Sequence, residues 1–87
     1  MTPLYDQQKM LALGSFAMSL SCAYGHLHNL LGTTTPDRYS ACLARLNASR
    51  DRAGHFAASL KTDGSPFAPV CEAALAAFDA DLAAAAR

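Results

Sequence analysis

Valine and isoleucine occur once between them in this chain of 87 residues, as Val70. Pleated sheets favour β-branched side chains, so no segment reads as a strand and the chain is expected to be all-α. Proline, glycine and threonine divide it into three helices. Thr2-Pro3 sets a capping side chain before a proline at the first helical position. The apolar pattern then runs to Leu31, and Gly32 is expected to end the helix in the left-handed conformation. Thr35-Pro36-Asp37 repeats the start signal, with Asp37 meeting the positive helix end. That second helix runs to about Thr62, with Gly64 beyond it. Ser65-Pro66 opens a third, alanine-rich helix, with Pro69 as an alternative first residue.

The expected architecture is an antiparallel three-helix bundle with helices at about 3–31, 36–62 and 66–86, forming one domain over 1–87. Short connections make consecutive helices antiparallel neighbours. Heptad spacing gives the core. It runs through Leu13, Ala17, Leu20, Tyr24, Leu27 and Leu31 in the first helix and Tyr39, Cys42, Leu46, Ser49, Ala53, Phe56 and Leu60 in the second. In the third it takes Phe67, Cys71, Ala74, Phe78, Leu82 and Ala85. Residues 36–64 carry five basic and three acidic groups and residues 65–87 one and three, so the last two helices are matched in charge.

The first helix is different. From Met10 to Pro36, 27 consecutive positions carry no charge, in a chain that is 52% hydrophobic and only 16% charged. A membrane span or export signal is one meaning of such a stretch. Gly14, Ser15, Ser19 and Ser21 dilute it, however, His26, His28 and Asn29 interrupt it, and Asp6 sits badly in a signal's basic leader. A helix of a water-soluble domain is the better expectation. On a helical wheel Met10, Leu13, Phe16, Leu20, Tyr24, Leu27, Leu30 and Leu31 fill one stripe and form the core face. The rest of the circumference carries Leu11, Gly14, Ser15, Met18, Ser21, Cys22 and Gly25 in place of charge. A helix apolar nearly all round is buried nearly all round, and two partner helices cannot cover it. Leu11, Gly14, Met18, Cys22 and Gly25 are therefore expected to form an intermolecular seam, facing a protein partner or a second copy. The small residues would let another backbone approach, and Leu11 and Met18 would supply the knobs.

Other chemistry is sparse. Cys22 and His26 stand four apart on one helical face, a spacing that could begin a zinc or copper site. Reflection across the turns puts Cys42 level with Cys22, but Cys71 and His55 about 20 Å away at 1.5 Å rise per residue, so the ligand-type residues do not converge. No metal or cofactor is expected. Cys42 and Cys71 fall on core positions, where free cysteine acts as a small hydrophobe. Three cysteines, an odd number, point to reduced thiols and a cytoplasmic compartment; a Cys22–Cys42 disulfide, or export through the N-terminal apolar segment, are the alternatives.

The segment His28-Asn29-Leu30-Leu31-Gly32-Thr33 resembles, over six residues, the His-x-Leu-Lys-Gly-Ser/Thr box of histidine phosphotransfer domains. Those are small four-helix bundles whose exposed histidine accepts a phosphoryl group from a response-regulator aspartate. The resemblance makes His28 a phosphoacceptor candidate. Leu31 stands where the family has lysine, the helix is expected to stop at Gly32, and a fourth helix is missing. No phosphate loop, zinc-protease motif or nucleophile elbow occurs, and no carboxylate pair is placed for acid–base work. No enzymatic activity and no small-molecule substrate are expected. Seven basic and seven acidic residues balance, which argues against a general nucleic-acid binder. Arg38, Arg45 and Arg52 nevertheless recur every seven residues along the second helix. Such a row can dock an acidic partner or a nucleic-acid backbone, or simply face solvent, and Asp51 dilutes it. The expected function is a small helical regulator, inhibitor or chaperone-like adaptor that binds a protein partner or itself through its first helix; the alternatives are histidine phosphotransfer through His28 and a metal or thiol sensor using Cys22 and His26.

Overall fold

Three helices form where proline opens them and where the backbone runs out of partners. In a computed structural model they are α1 (Pro3–Leu31), α2 (Pro36–Thr62) and α3 (Ala68–Ala85). Residues 3–85 are described, with side-chain surroundings from Met10 to Ala85; Thr2 and the end of the expected third helix at 86 lie outside them. α1 is continuous through Gly14 and Gly25.

The helix ends differ in detail from expectation. Gly32 is not left-handed. α1 instead tightens at its end, where Gly32 N donates to Asn29 O (3.2 Å), Thr33 N donates to Leu30 O (3.1 Å), and the Thr33 hydroxyl donates to Asn29 O (2.8 Å). These bonds satisfy carbonyls that the helix leaves free. Thr35 takes the extended N-cap backbone before α2, but its side chain makes no capping bond. The left-handed terminator occurs only after α2, at Gly64 with φ of 71°. α3 starts two residues later than Ser65-Pro66 suggests. Ser65 is buried and its Oγ accepts from Phe67 N at 3.2 Å, which holds Pro66 and Phe67 in a separate turn and leaves Pro69 inside the first helical turn.

α1 and α2 pair along most of their length into a long antiparallel hairpin, and the molecule measures 54 × 19 × 15 Å. α3, of 18 residues, lies along one side of that hairpin. One part of the core joins Phe16, Ala53, Ala57, Leu60, Ala68, Cys71 and Leu75, and the other joins Ala23, Leu27, Leu30, Cys42, Leu46 and Phe78. Leu20 packs against both. The α2 and α3 heptads place Cys42, Leu46, Ser49, Ala53, Leu60, Cys71 and Phe78 in the interior as their spacing implies, but Tyr39 and Phe67 are exposed, and Ala57, Ala68 and Leu75 are buried in addition. The α1 assignment is rotated. Phe16, Leu27 and Leu30 are buried as the helical wheel places them, but Ser19 and Ala23 are buried beside them, whereas Met10, Ala17, Tyr24 and Leu31 are exposed. α1 has no charges from Met10 onward to fix its outward side, and Ala23 allows α2 a closer approach than a larger residue would.

Polar contacts hold α3 in place. Arg50 donates to Asp79 through Nε (2.9 Å) and Nη2 (2.7 Å), a bidentate pair. Lys61 and Glu72 lie 3.8 Å apart, and Tyr24 donates its hydroxyl to Asp81 at 3.2 Å. The Arg50 guanidinium holds the Asp79 carboxyl below the usual carboxylate range, and burial with the Asp81 bond pushes the Tyr24 hydroxyl up. Beneath these contacts the Phe78 ring meets the Tyr24 ring edge-on, with centroids 4.8 Å apart.

Phe78 is wholly buried, so Phe78→Ala removes a large side chain from the junction of all three helices. Such truncations cost about 3–5 kcal/mol, against roughly 4–13 kcal/mol of total stability for a chain of this length. The expected outcome in urea denaturation is a midpoint lowered by about a quarter or more; a loss under about 1 kcal/mol would show that this junction carries little of the stability.

Candidate protein interface

The expected seam residues lie together on one uninterrupted helix, and all are exposed. Leu11 is 64% accessible and Met18 72%, among the most exposed of the large apolar side chains. Gly14, Cys22 and Gly25 are exposed beside them. A Cβ built on Gly14 or Gly25 meets nothing within 4 Å. Packing within the chain therefore does not require glycine at either position, although each costs the helix roughly 1 kcal/mol relative to alanine.

The structure also brings together residues that the sequence left apart. Along the side of the hairpin away from α3, two clefts lie in line between α1 and α2. The first, about 270 Å³, has Ser15, Met18, Ser19 and Cys22 on its α1 wall and Arg52 and Phe56 on its α2 wall. The second, about 420 Å³, has His26, Asn29 and Thr33 on one wall and Arg38, Ala41, Cys42 and Arg45 on the other. The arginine row and the uncharged face of α1 are thus the two lips of one groove. Helical periodicity places each residue on its own helix. It does not say how two helices are rotated against each other, and that relation makes the groove.

Cys22 is exposed and sits in the groove, whereas Cys42 and Cys71 are buried; all three are free thiols. Burial pushes the Cys71 thiol up. The Cys42 thiol donates to His26 O at 3.1 Å, which ties α2 to α1 near the hairpin turn. Cys22 and His26 lie one turn apart along the groove wall, and no group of three His, Cys, Asp or Glu side chains among the described residues is placed to hold a metal. His55 stacks near Phe56 with centroids 6.0 Å apart, while Cys71 belongs to the half of the core built around Phe16 and Leu60. His28 is exposed on the outer side of α1, three residues before the helix ends at Leu31, itself 66% exposed. Met10–Leu31 is long and apolar enough to cross a membrane by length and composition, yet it contributes Phe16, Ala23, Leu27 and Leu30 to the core.

No protein-family model matches the chain, and no characterised protein or solved structure is significantly similar to it.

Thiol reactivity requires access as well as ionisation. In the native protein a maleimide is expected to modify one of the three cysteines, Cys22, with Cys42 and Cys71 reacting only after denaturation. Peptide mapping by mass spectrometry checks this, and rapid labelling of Cys42 would contradict the packing of the hairpin turn.

Proposed function

We propose that this protein is a small non-enzymatic interaction module, a regulator, inhibitor or chaperone-like adaptor, that binds a protein partner or a second copy through the outward face of α1. The observation that carries the reading is the exposure of Leu11 and Met18 on the same helix as Gly14, Cys22 and Gly25. Single exposed apolar residues are ordinary on soluble proteins. A whole helix flank without charge is not, because it supplies no solubility and leaves large side chains in water. The two glycines add support, since their cost to the helix brings no packing within the chain. Three free cysteines favour a reducing, cytoplasmic setting.

Met18→Glu puts a charge at the centre of this face without touching the core. It is expected to abolish association while the helical circular dichroism stays unchanged. Sedimentation velocity of the tagged protein, alone and as recovered from its own organism, reads both forms of association. A complex that survives Met18→Glu would overturn the assignment of the face. So would a wild-type chain that sediments as a 9.1 kDa monomer in both settings.

A further inference from the structure

The α1–α2 hairpin has two long grooves, and α3 fills one of them. On the filled side α2 presents Arg50 and Lys61, and α3 answers with Asp79 and Glu72, seven residues apart. On the open side α2 presents Arg38, Arg45 and Arg52, again seven apart and so about 10 Å from one to the next along the axis. All three are exposed, and neither of the two ion pairs among the described residues includes them. The facing α1 wall has no charge: Met18 and Cys22 lie on it opposite Arg52, and His26, Asn29 and Thr33 opposite Arg38 and Arg45.

We infer that the open groove takes an amphipathic helix from a different protein, as a fourth helix of the bundle. Its apolar edge rests against Met18 and Cys22, and a carboxylate at about every seventh residue faces Arg38, Arg45 and Arg52. The inference rests on the interaction-module reading and specifies the partner. Charge selects an acidic occupant, because an uncharged strip, apolar at Met18 and Cys22 and polar at His26, Asn29 and Thr33, lies beside three guanidiniums outside the two ion pairs and is complementary to a helix edge flanked by carboxylates. Shape selects a rod, because the furrow between two helices seats the ridges of a third, while a flat bilayer would touch only its lips. The uncharged α1 wall offers a nucleic-acid backbone nothing to neutralise it. A second copy of this chain is a poorer occupant, because its own seven-spaced acidic pair, Glu72 and Asp79, already engages Lys61 and Arg50.

The test uses the full chain and two labelled synthetic helices of about three heptads that share one leucine seam. One carries Glu at every seventh flanking position and the other carries Lys there. Fluorescence anisotropy at low salt is expected to show the Glu helix binding at least about tenfold more tightly than the Lys helix, with the gap shrinking as added salt screens the charges. The bound Glu helix should shield Cys22 from maleimide. Arg45→Glu should erase the preference, and Arg38→Glu with Arg45→Glu should reverse it. Equal binding of both helices, binding that leaves Cys22 reactive, or no binding of either would each overturn the inference. Tighter binding to a duplex oligonucleotide or to phosphatidylglycerol vesicles than to the Glu helix would do the same. The two levels separate cleanly. Equal binding that Met18→Glu abolishes removes the acidic partner and keeps the α1 interface, whereas Glu-helix binding that survives Met18→Glu removes the α1 interface itself.

Discussion

The pairing of α1 with α2 decides nearly everything else in this molecule. Two helices of 29 and 27 residues pack antiparallel through small and medium side chains, among them Ala23, Ala53 and Ala57. A hairpin of that kind has two furrows, and the chain holds one further helix, of 18 residues. One furrow is covered over part of its length and the other is left open. The shortage of charge in the sequence thus acquires a location: the flank of α1 that neither α2 nor α3 covers.

The covered furrow shows how the open one can work. α3 is held by an apolar seam through Cys71, Leu75 and Phe78, with Asp79 and Glu72 reaching basic side chains of α2. Exposed ion pairs add little stability, typically under about 1 kcal/mol each, and their stronger role is to set register and exclude the wrong partner. On the opposite flank Arg38, Arg45 and Arg52 recur every seven residues, the spacing of Glu72 and Asp79 on α3. Burial of Met18 and its neighbours would supply affinity there, and the arginines would supply choice.

Much of the fold was legible because this chain punctuates plainly. Pro3, Pro36 and Thr62 bound α1 and α2 where the sequence puts them, and the near absence of valine and isoleucine left no competing class. The phase of α2 was largely legible through Cys42, Leu46, Ser49, Ala53 and Leu60, and that of α3 only at Cys71 and Phe78, since Ala68 and Leu75 are buried where Phe67 and Ala74 were expected. The phase of α1 was not. With apolar or small residues at every position from Met10 to Ala23 apart from serines, several seams satisfy a three-and-four spacing. Tertiary packing chose the one through Phe16, Ala23 and Leu27 over the one through Ala17 and Leu31. The start of α3 moved because the Ser65 side chain caps a turn, a contact that spacing does not reveal. Of the candidate interface, Leu11, Met18 and Cys22 could be found from their helix alone. Their alignment with the arginines of α2 needed the rotation of one helix against the other.

On the proposed reading, the exposed flank of α1 is covered when the protein works. Cys22 reports on it directly, because it is the exposed thiol on that flank while Cys42 and Cys71 are buried references in the same chain. The decisive measurement is the rate of Cys22 alkylation in the living cells that make the protein, compared with the rate for the purified chain. Cys22 is expected to react severalfold more slowly in the cell, and Met18→Glu is expected to restore the faster rate. Equal rates in the two settings would contradict that reading.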